Sequence, residues 1–118
     1  MSLKVCVIED DPLMLQWVAD MLKELGCEAL LAATVREGLD LVRNHAVDAA
    51  VVDILMPDQD GLSFIMEATR DQQLRIVAIT GGGRLGPGPV LKMAQGLGAH
   101  ATLAKPFSKD ELRAALFG

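Results

Sequence analysis

Residues 4–12, with the sequence Lys-Val-Cys-Val-Ile-Glu-Asp-Asp-Pro, decide how the chain begins to fold. The apolar run, rich in β-branched residues, predicts a buried strand over Lys4–Ile8. Asp11 followed by Pro12 predicts the start of a helix, because a carboxylate caps free N–H groups and proline fits the first turn. A strand that passes through carboxylates directly into a helix predicts a β-α unit.

The same alternation continues to the end of the chain. Further apolar runs predict strands at Glu28–Ala32, Val47–Asp53, Leu74–Thr80 and Ala101–Ala104. The predicted helices are one with a stripe of Leu13, Trp17, Met21 and Leu25, one that opens at Thr34, Gly61–Arg70, one from Val90 to Leu97, and one that opens at Ser108. Five β-α units in succession predict an α/β fold, a doubly wound parallel sheet with helices on both faces.

Length and composition narrow the class of protein. The 118 residues, of which 51% are hydrophobic, predict a single domain over residues 1–118. The net charge of −5 argues against a nucleic-acid surface, which needs clustered Lys and Arg. There is no apolar run of membrane-spanning length and no signal peptide. With Cys6 and Cys27 expected to be reduced, the prediction is a cytoplasmic protein.

Polar residues stand where the predicted strands end. Glu9 and Asp10 follow the first strand, Asp53 ends the third, Thr80 ends the fourth, and Lys105 follows the fifth. Taken singly, an acidic run is usually a solvated loop or helix cap, and a lone Asp at a strand end is usually a turn residue. Parallel strands, however, bring their carboxyl ends to one edge of the sheet.

Clustered carboxylates at that edge repel one another and need a compensating cation. Lys105 supplies one positive charge, which is too little. Mg²⁺, a hard cation that prefers oxygen ligands, would complete the balance. A site that combines Mg²⁺, an ammonium group and a hydroxyl is suited to bind a phosphoryl group.

Four stretches resemble the receiver domain of two-component response regulators. They are Val7-Ile8-Glu9-Asp10-Asp11-Pro12, then Asp53-Ile54-Leu55-Met56-Pro57-Asp58-Gln59-Asp60-Gly61, then Ile79-Thr80-Gly81, and Lys105-Pro106-Phe107. The resemblance covers essentially the whole chain in the family's order. It implies a flavodoxin-like, five-stranded parallel sheet of strand order 2-1-3-4-5.

The resemblance also implies a role for each matching residue. Asp53 would be the phospho-acceptor. The Mg²⁺ ligands would be Asp10, Asp53, the backbone carbonyl of Leu55 and, through water, Glu9. Thr80, Gly81 and Lys105 would bind the phosphoryl group. Pro57, Gly61 and Pro106 would be structural residues, with a cis peptide bond between Lys105 and Pro106.

The function implied by the resemblance is regulatory. Asp53 would accept a phosphoryl group from a histidine kinase or a histidine phosphotransfer protein in a Mg²⁺-dependent reaction. The chain would catalyse only its own phosphorylation and slow dephosphorylation. Phosphorylation would switch the loop after Thr80 and the face made by the fourth helix, fifth strand and fifth helix. That face would serve a downstream protein, an effector domain or a homodimer.

Two features depart from the family pattern. Thr102 stands at the switch position, three residues before Lys105, where the family commonly has Tyr or Phe. The loop Gly81–Pro89 contains a Gly-x-Gly-x-x-Gly motif, at Gly81, Gly83 and Gly86. We interpret this loop as mobile, because glycine frees the backbone.

Three alternatives to a phospho-acceptor domain remain open. The first is a pseudo-receiver, an interaction module that works without phosphorylation. The second is a nucleotide-binding enzyme that uses the glycine loop, although the acidic residue this motif requires is missing. The third is an aspartyl-phosphate phosphatase, although Leu55 occupies the position where such enzymes usually place a second Asp.

Overall fold

Strands and helices alternate along the chain from its first strand to its last helix. The computed structural model describes residues 2–56, 61–70, 73–81 and 88–118. Within these residues the strands are β1 (Lys4–Ile8), β2 (Glu28–Ala32), β3 (Ala49–Asp53), β4 (Arg75–Thr80) and β5 (Ala101–Ala104). The helices are α1 (Pro12–Glu24), α2 (Val35–Asn44), α3 (Gly61–Ala68), α4 (Gly88–Leu97) and α5 (Lys109–Phe117).

The strands form one parallel sheet in the order β2-β1-β3-β4-β5. The predicted architecture and strand order are therefore confirmed. The chain crosses from β1 to β2 on one side and then returns to place β3 on the other side of β1. This reversal of strand order lies beside the carboxyl ends of β1 and β3, which is where ligands bind in open α/β sheets.

The sheet separates two hydrophobic cores. Val5 and Val7 of β1 pack with residues of α1 and α5, whereas Cys6 and Ile8 pack with residues of α2, α3 and α4. Successive side chains of a strand point to opposite faces, so a strand covered on both sides must be apolar throughout. This explains the continuous apolar runs that predicted the strands.

Three helices begin at the capping residues that the sequence indicated. Asp11 accepts a hydrogen bond from the N–H of Leu13, and Thr34 accepts one from the N–H of Glu37. Ser108 and Glu111 form a reciprocal capping box at the start of α5. These bonds satisfy N–H groups that have no partner within the helix.

Two predicted strands were too long at their amino ends, since β3 begins at Ala49 and not at Val47, and β4 at Arg75 and not at Leu74. Asp48 explains the first difference. Its carboxylate Oδ2 accepts the N–H of Lys4 at 2.8 Å, and its own N–H donates to the Lys4 carbonyl at 2.8 Å. The side chain of Asp48 thus takes the place of a backbone partner, and the regular ladder starts one residue later.

The helix predicted over Gly61–Arg70 was too long at its carboxyl end, since α3 ends at Ala68. The Thr69 hydroxyl donates to the Met66 carbonyl at 2.9 Å. The N–H of Arg70 donates to the Glu67 carbonyl, three residues back. The N–H of Thr69 still donates to the Ile65 carbonyl four residues back, so the backbone tightens only at Arg70, where the helix ends.

The helix stripe predicted from Leu13 to Leu25 only partly faces the core. Leu13 is 82% exposed, and burial begins at Val18. With 3.6 residues per turn, a spacing of four drifts around the helix, so the ends of such a stripe cannot share one face.

The fourth helix, α4, begins at Gly88, two residues before the predicted Val90. None of the described helices is both long and apolar enough to cross a membrane.

Candidate functional site: an acidic cluster at the carboxyl ends of the strands

The polar residues selected from the sequence meet at one edge of the sheet. The register pairs Ile8 with Val52, so Glu9 follows β1 at the level where Asp53 ends β3. Thr80 ends β4 opposite Ala104, directly before Lys105. The N–H of Lys105 donates to the Thr80 carbonyl at 2.8 Å, which brings the lysine to the same edge.

Lys105 bridges two buried carboxylates. Its Nζ lies 2.6 Å from Oε1 of Glu9 and 2.8 Å from Oδ2 of Asp53. Glu9 is 1% exposed and Asp53 3% exposed, whereas the lysine side chain reaches solvent in part. Buried charges are stable when they are paired and hydrogen-bonded, and the bridge meets both conditions.

The cluster shifts the proton affinity of two of its members. Burial raises the pKa of Glu9 from 4.5 to about 7; the Lys105 ammonium opposes this rise, and the negative Asp53 adds to it. For Lys105, burial alone would lower the pKa, but the hydrogen bonds and charges of Asp53 and Glu9 outweigh it and raise the pKa. Metal-free Glu9 therefore titrates close to neutral pH.

A third carboxylate completes a group that could hold a metal ion. One oxygen each of Glu9, Asp10 and Asp53 lie within 4.8 Å of one another, and Asp10 is the more exposed of the three. Mg²⁺ takes oxygen ligands and usually keeps several waters, so a partly exposed, all-oxygen cluster fits its chemistry. The single positive charge of Lys105 does not balance the three carboxylates, so a divalent cation would complete the charge balance of the cluster.

Asp53 is held through both carboxylate oxygens. Oδ2 receives the Lys105 ammonium, and Oδ1 accepts the N–H of Leu55 at 3.0 Å. The second bond folds the chain back just after β3 and keeps Leu55 next to the carboxylate. Leu55 itself is 45% exposed.

Gly61 lets α3 approach the backbone that carries Asp53. A Cβ at this position would overlap the Asp53 carbonyl oxygen and would lie 2.7 Å from the Ile54 Cα. Both are backbone atoms, which cannot rotate away as a side chain can. The structure therefore gives the predicted structural glycine a specific steric reason.

Thr80, Gly81 and the Lys-Pro-Phe segment flank the cluster. Thr80 is fully buried, and Gly81 is exposed, with Cδ of Lys105 4.0 Å from where its Cβ would stand. The Lys105–Pro106 bond is cis, as predicted. The next residue, Phe107, packs against Trp17 of α1 with 5.2 Å between the ring centroids.

The remaining predicted residues lie apart from the cluster or outside the described residues. Thr102 is half-buried on β5 opposite Ala78, two residues before the strand ends. Pro57 lies outside the described residues, as do residues 82–87 of the glycine-rich loop, which include Gly83 and Gly86.

The bridge from Lys105 to Glu9 is the feature of the site that sequence reasoning missed. The sequence predicted that Lys105 pairs with a phosphoryl group and partly offsets the clustered carboxylates, but it did not predict that its shortest contact is with Glu9. The two residues are 96 positions apart, and no local pattern marks the contact. The parallel register, which places the ends of β1 and β5 at one edge, is the signal that could have suggested it.

Fold and site together define a doubly wound α/β domain with an acidic, lysine-bridged pocket at its switch point. Residues 5–117 match the response regulator receiver domain family. The chain is 30% identical over 111 residues to the polar-differentiation response regulator DivK of Brucella ovis, covering 92% of this chain and 88% of DivK. The chain therefore belongs to the receiver domain family of two-component response regulators.

Two further proteins, one a curated relative and one of known structure, are also similar to this chain. The transcriptional regulatory protein PdtaR of Mycobacterium tuberculosis is 31% identical over 114 residues, which are 96% of this chain and 54% of PdtaR. This chain thus spans about half the length of several curated relatives it matches. The chemotaxis response regulator CheY4 of Vibrio cholerae superposes with a TM-score of 0.84 at 26% identity, covering 99% of this chain and 98% of CheY4.

Membership of the family establishes the general function. Receiver domains are regulatory signalling domains of two-component systems and not classical enzymes. They generally bind Mg²⁺ at an acidic pocket, and they work with kinases or phosphotransfer proteins and with effector domains.

Proposed function

We propose that this chain is one phospho-acceptor domain that takes a phosphoryl group onto Asp53 from a phosphohistidine of a kinase or phosphotransfer protein. The observation that carries this proposal is the position of Asp53. Its carboxylate is buried beside Glu9 and Asp10 and is bonded to the Lys105 ammonium at 2.8 Å. The cluster thus surrounds one carboxylate with the charges that phosphoryl transfer needs.

The transfer is an in-line displacement. A carboxylate oxygen of Asp53 forms the bond to phosphorus while the bond from phosphorus to the donor nitrogen breaks, and that nitrogen keeps the electron pair. No general base is required, because a carboxylate is already a nucleophile near neutral pH. The product is an acyl phosphate, which water later hydrolyses.

The surrounding residues stabilise the transferring group. Lys105 moves its ion pair from Asp53 to the phosphoryl oxygens, and Thr80 and Gly81 contribute hydrogen bonds. Asp10, Asp53 and the Leu55 carbonyl would hold Mg²⁺, with Glu9 acting through water. When bound, Mg²⁺ would neutralise charge on the phosphoryl group.

Phosphorylation then changes the surface of the domain. It adds a charge of about −1.5 to −2 at Asp53. Because Thr80 ends β4 just before that loop and Lys105 directly follows β5, this charge acts on the loop before α4 and on the α4-β5-α5 face. We propose that this face binds a downstream protein, an effector domain or a second copy of the chain.

Intact mass after incubation with Mg²⁺ and acetyl phosphate tests the proposal. We expect the parent protein to gain one phosphoryl group. Asp53→Asn should gain none, because an amide is not a nucleophile here. Asp20→Asn serves as the matched control, since Asp20 is an exposed aspartate on α1 whose side chain bonds to Gln16, and it should behave as the parent.

Two results would contradict the proposal. Absence of any adduct, with acetyl phosphate and with a histidine kinase as donor, would indicate a pseudo-receiver. Continuous release of phosphate from many monoesters would indicate a phosphatase.

A further inference from the structure

Strand β2 leaves part of its backbone open at one edge of the sheet. Within the described residues its neighbour is β1 alone. The N–H of Glu28 donates to the Leu3 carbonyl, and the Ala32 carbonyl accepts the N–H of Glu9, so these residues face β1. Backbone groups alternate in direction along a strand, which turns those of Ala29 and Leu31 toward the open edge.

Beside this edge lies a groove that β2 shares with α2. Its volume is about 260 Å³. It is lined by Leu31 of β2 and by Glu37, Asp40, Leu41, Asn44 and His45 at and after α2. Leu31 belongs to the open edge and Leu41 to α2, so the groove lies directly next to the open backbone groups.

The charged groups of the groove favour a basic occupant. Glu37 and Asp40 stand on the same side of α2, and within the described part of the chain neither carboxylate takes part in an ion pair. The Glu37 carboxylate accepts the Thr34 hydroxyl at 3.2 Å, a bond that leaves its charge uncompensated. Lys or Arg in the groove would lay its aliphatic stem along Leu41 and bring its charge to these carboxylates.

The one charged side chain of the β2 edge is Glu28, which is negative and does not repel a basic strand. Proteins block such edges with lysine or proline, and the sequence of β2, Glu-Ala-Leu-Leu-Ala, contains neither. A second copy of this chain is a poor occupant, because its β2 would bring an identical set of carboxylates to the same place. A basic segment of another protein meets both the open backbone and the negative rim.

We propose that the β2 edge and its groove bind an extended segment of a partner protein that carries Lys or Arg at alternate positions. The segment adds a strand to β2 through Ala29 and Leu31, and its basic side chains face Glu37 and Asp40. None of the residues proposed for phosphoryl transfer lines this groove, so the surface is independent of the Asp53 chemistry.

Two synthetic peptides of equal length test the pairing. One alternates lysine and valine, and the other alternates glutamate and valine; both are blocked at their ends. With ¹⁵N-labelled protein, we expect the lysine peptide to shift the amide signals of Ala29 and Leu31 and to slow their hydrogen exchange. The glutamate peptide should leave both unchanged, and added salt should weaken the lysine peptide.

Three variants test the residues. Asp40→Asn should weaken binding of the lysine peptide by about 1.5-fold to fivefold, the usual effect of one exposed ion pair. Leu31→Lys should abolish binding, because it places a like charge on the edge. Asp20→Asn is the control on α1, which packs on the other face of the sheet, and should bind as the parent. Phosphorylation of Asp53 should be retained in all three, which reports on folding and keeps the two proposals separate.

Several outcomes would overturn the proposal. They are equal shifts with both peptides, shifts located away from Ala29 and Leu31, and unchanged signals with the lysine peptide at millimolar concentration. Shifts of the same amides that grow with protein concentration in the absence of peptide would identify a second copy of the chain as the occupant instead.

Discussion

The protonation of Glu9 depends on a balance between its burial and the charges of its neighbours in the acidic cluster. It is almost completely buried, yet its carboxylate pairs with Lys105 and stands beside Asp53. Its raised pKa means that the folded protein holds this proton more tightly than the unfolded chain does. The contribution of Glu9 to stability is therefore fully present below pH 4.5, and in metal-free protein it is lost as the pH rises through about 7.

The same shift predicts that protons compete with Mg²⁺. Glu9 strengthens Mg²⁺ binding only when its carboxylate is charged, so a pKa of about 7 for Glu9 should weaken Mg²⁺ binding at lower pH. Between pH 8 and pH 6 we expect the apparent affinity to fall roughly tenfold, as the charged fraction falls. Isothermal titration calorimetry with MgCl₂ at several pH values measures this change.

Glu9→Gln is the control for this pH dependence. It removes the titrating group, so Mg²⁺ should bind more weakly at pH 8 but with a nearly flat profile between pH 6 and pH 8. A parent protein whose affinity is equally flat would show that Glu9 stays charged throughout this range.

At the scale of elements, the contact of α3 with the end of β3 positions Asp53, the acceptor that we propose. Gly61→Ala would push a methyl group into the Asp53 carbonyl and the Ile54 Cα. Because neither atom can move without the chain, α3 must shift. We expect a loss of about 1–3 kcal/mol in the free energy of unfolding by urea, together with weaker Mg²⁺ binding, since the shift reaches Asp53 and Leu55.

Gly96→Ala provides a matched comparison in another helix. A Cβ at Gly96 of α4 would meet nothing within 4 Å. Alanine should therefore stabilise the protein by about 0.5–1 kcal/mol through its better helix propensity, with Mg²⁺ binding unchanged. Equal effects of the two substitutions would contradict the steric role assigned to Gly61.

The elements also show which features the sequence could predict. Capping residues such as Asp11 and Ser108 act within one turn, so their side chains and partners are adjacent in the chain. Element ends were less predictable, because they depend on distant partners. Asp48 bonds to Lys4, 44 residues away, and nothing near Asp48 in the sequence indicates that.

For the molecule as a whole, the pattern of apolar runs was enough to predict the sheet. A strand that is buried on both faces must be apolar at nearly every position, so it can be recognised in the sequence. The parallel topology then places Glu9, Asp53 and Lys105 at one edge of the sheet. Contacts made by side chains across that edge were not predictable, because they depend on the register. The groove beside β2 was missed for a similar reason, since the residues of β2 and α2 that line it come together only after α2 packs on the sheet.

The contact between Trp17 and Phe107 gives this domain an internal optical probe. The chain has one tryptophan and no tyrosine, so its ultraviolet emission comes from a single position. The centroid of that indole lies 5.2 Å from that of the Phe107 ring, two residues beyond Lys105, and we propose that Lys105 changes partners when Asp53 is phosphorylated. Stopped-flow fluorescence of the unlabelled protein should thus resolve how fast the lysine segment responds, without any dye.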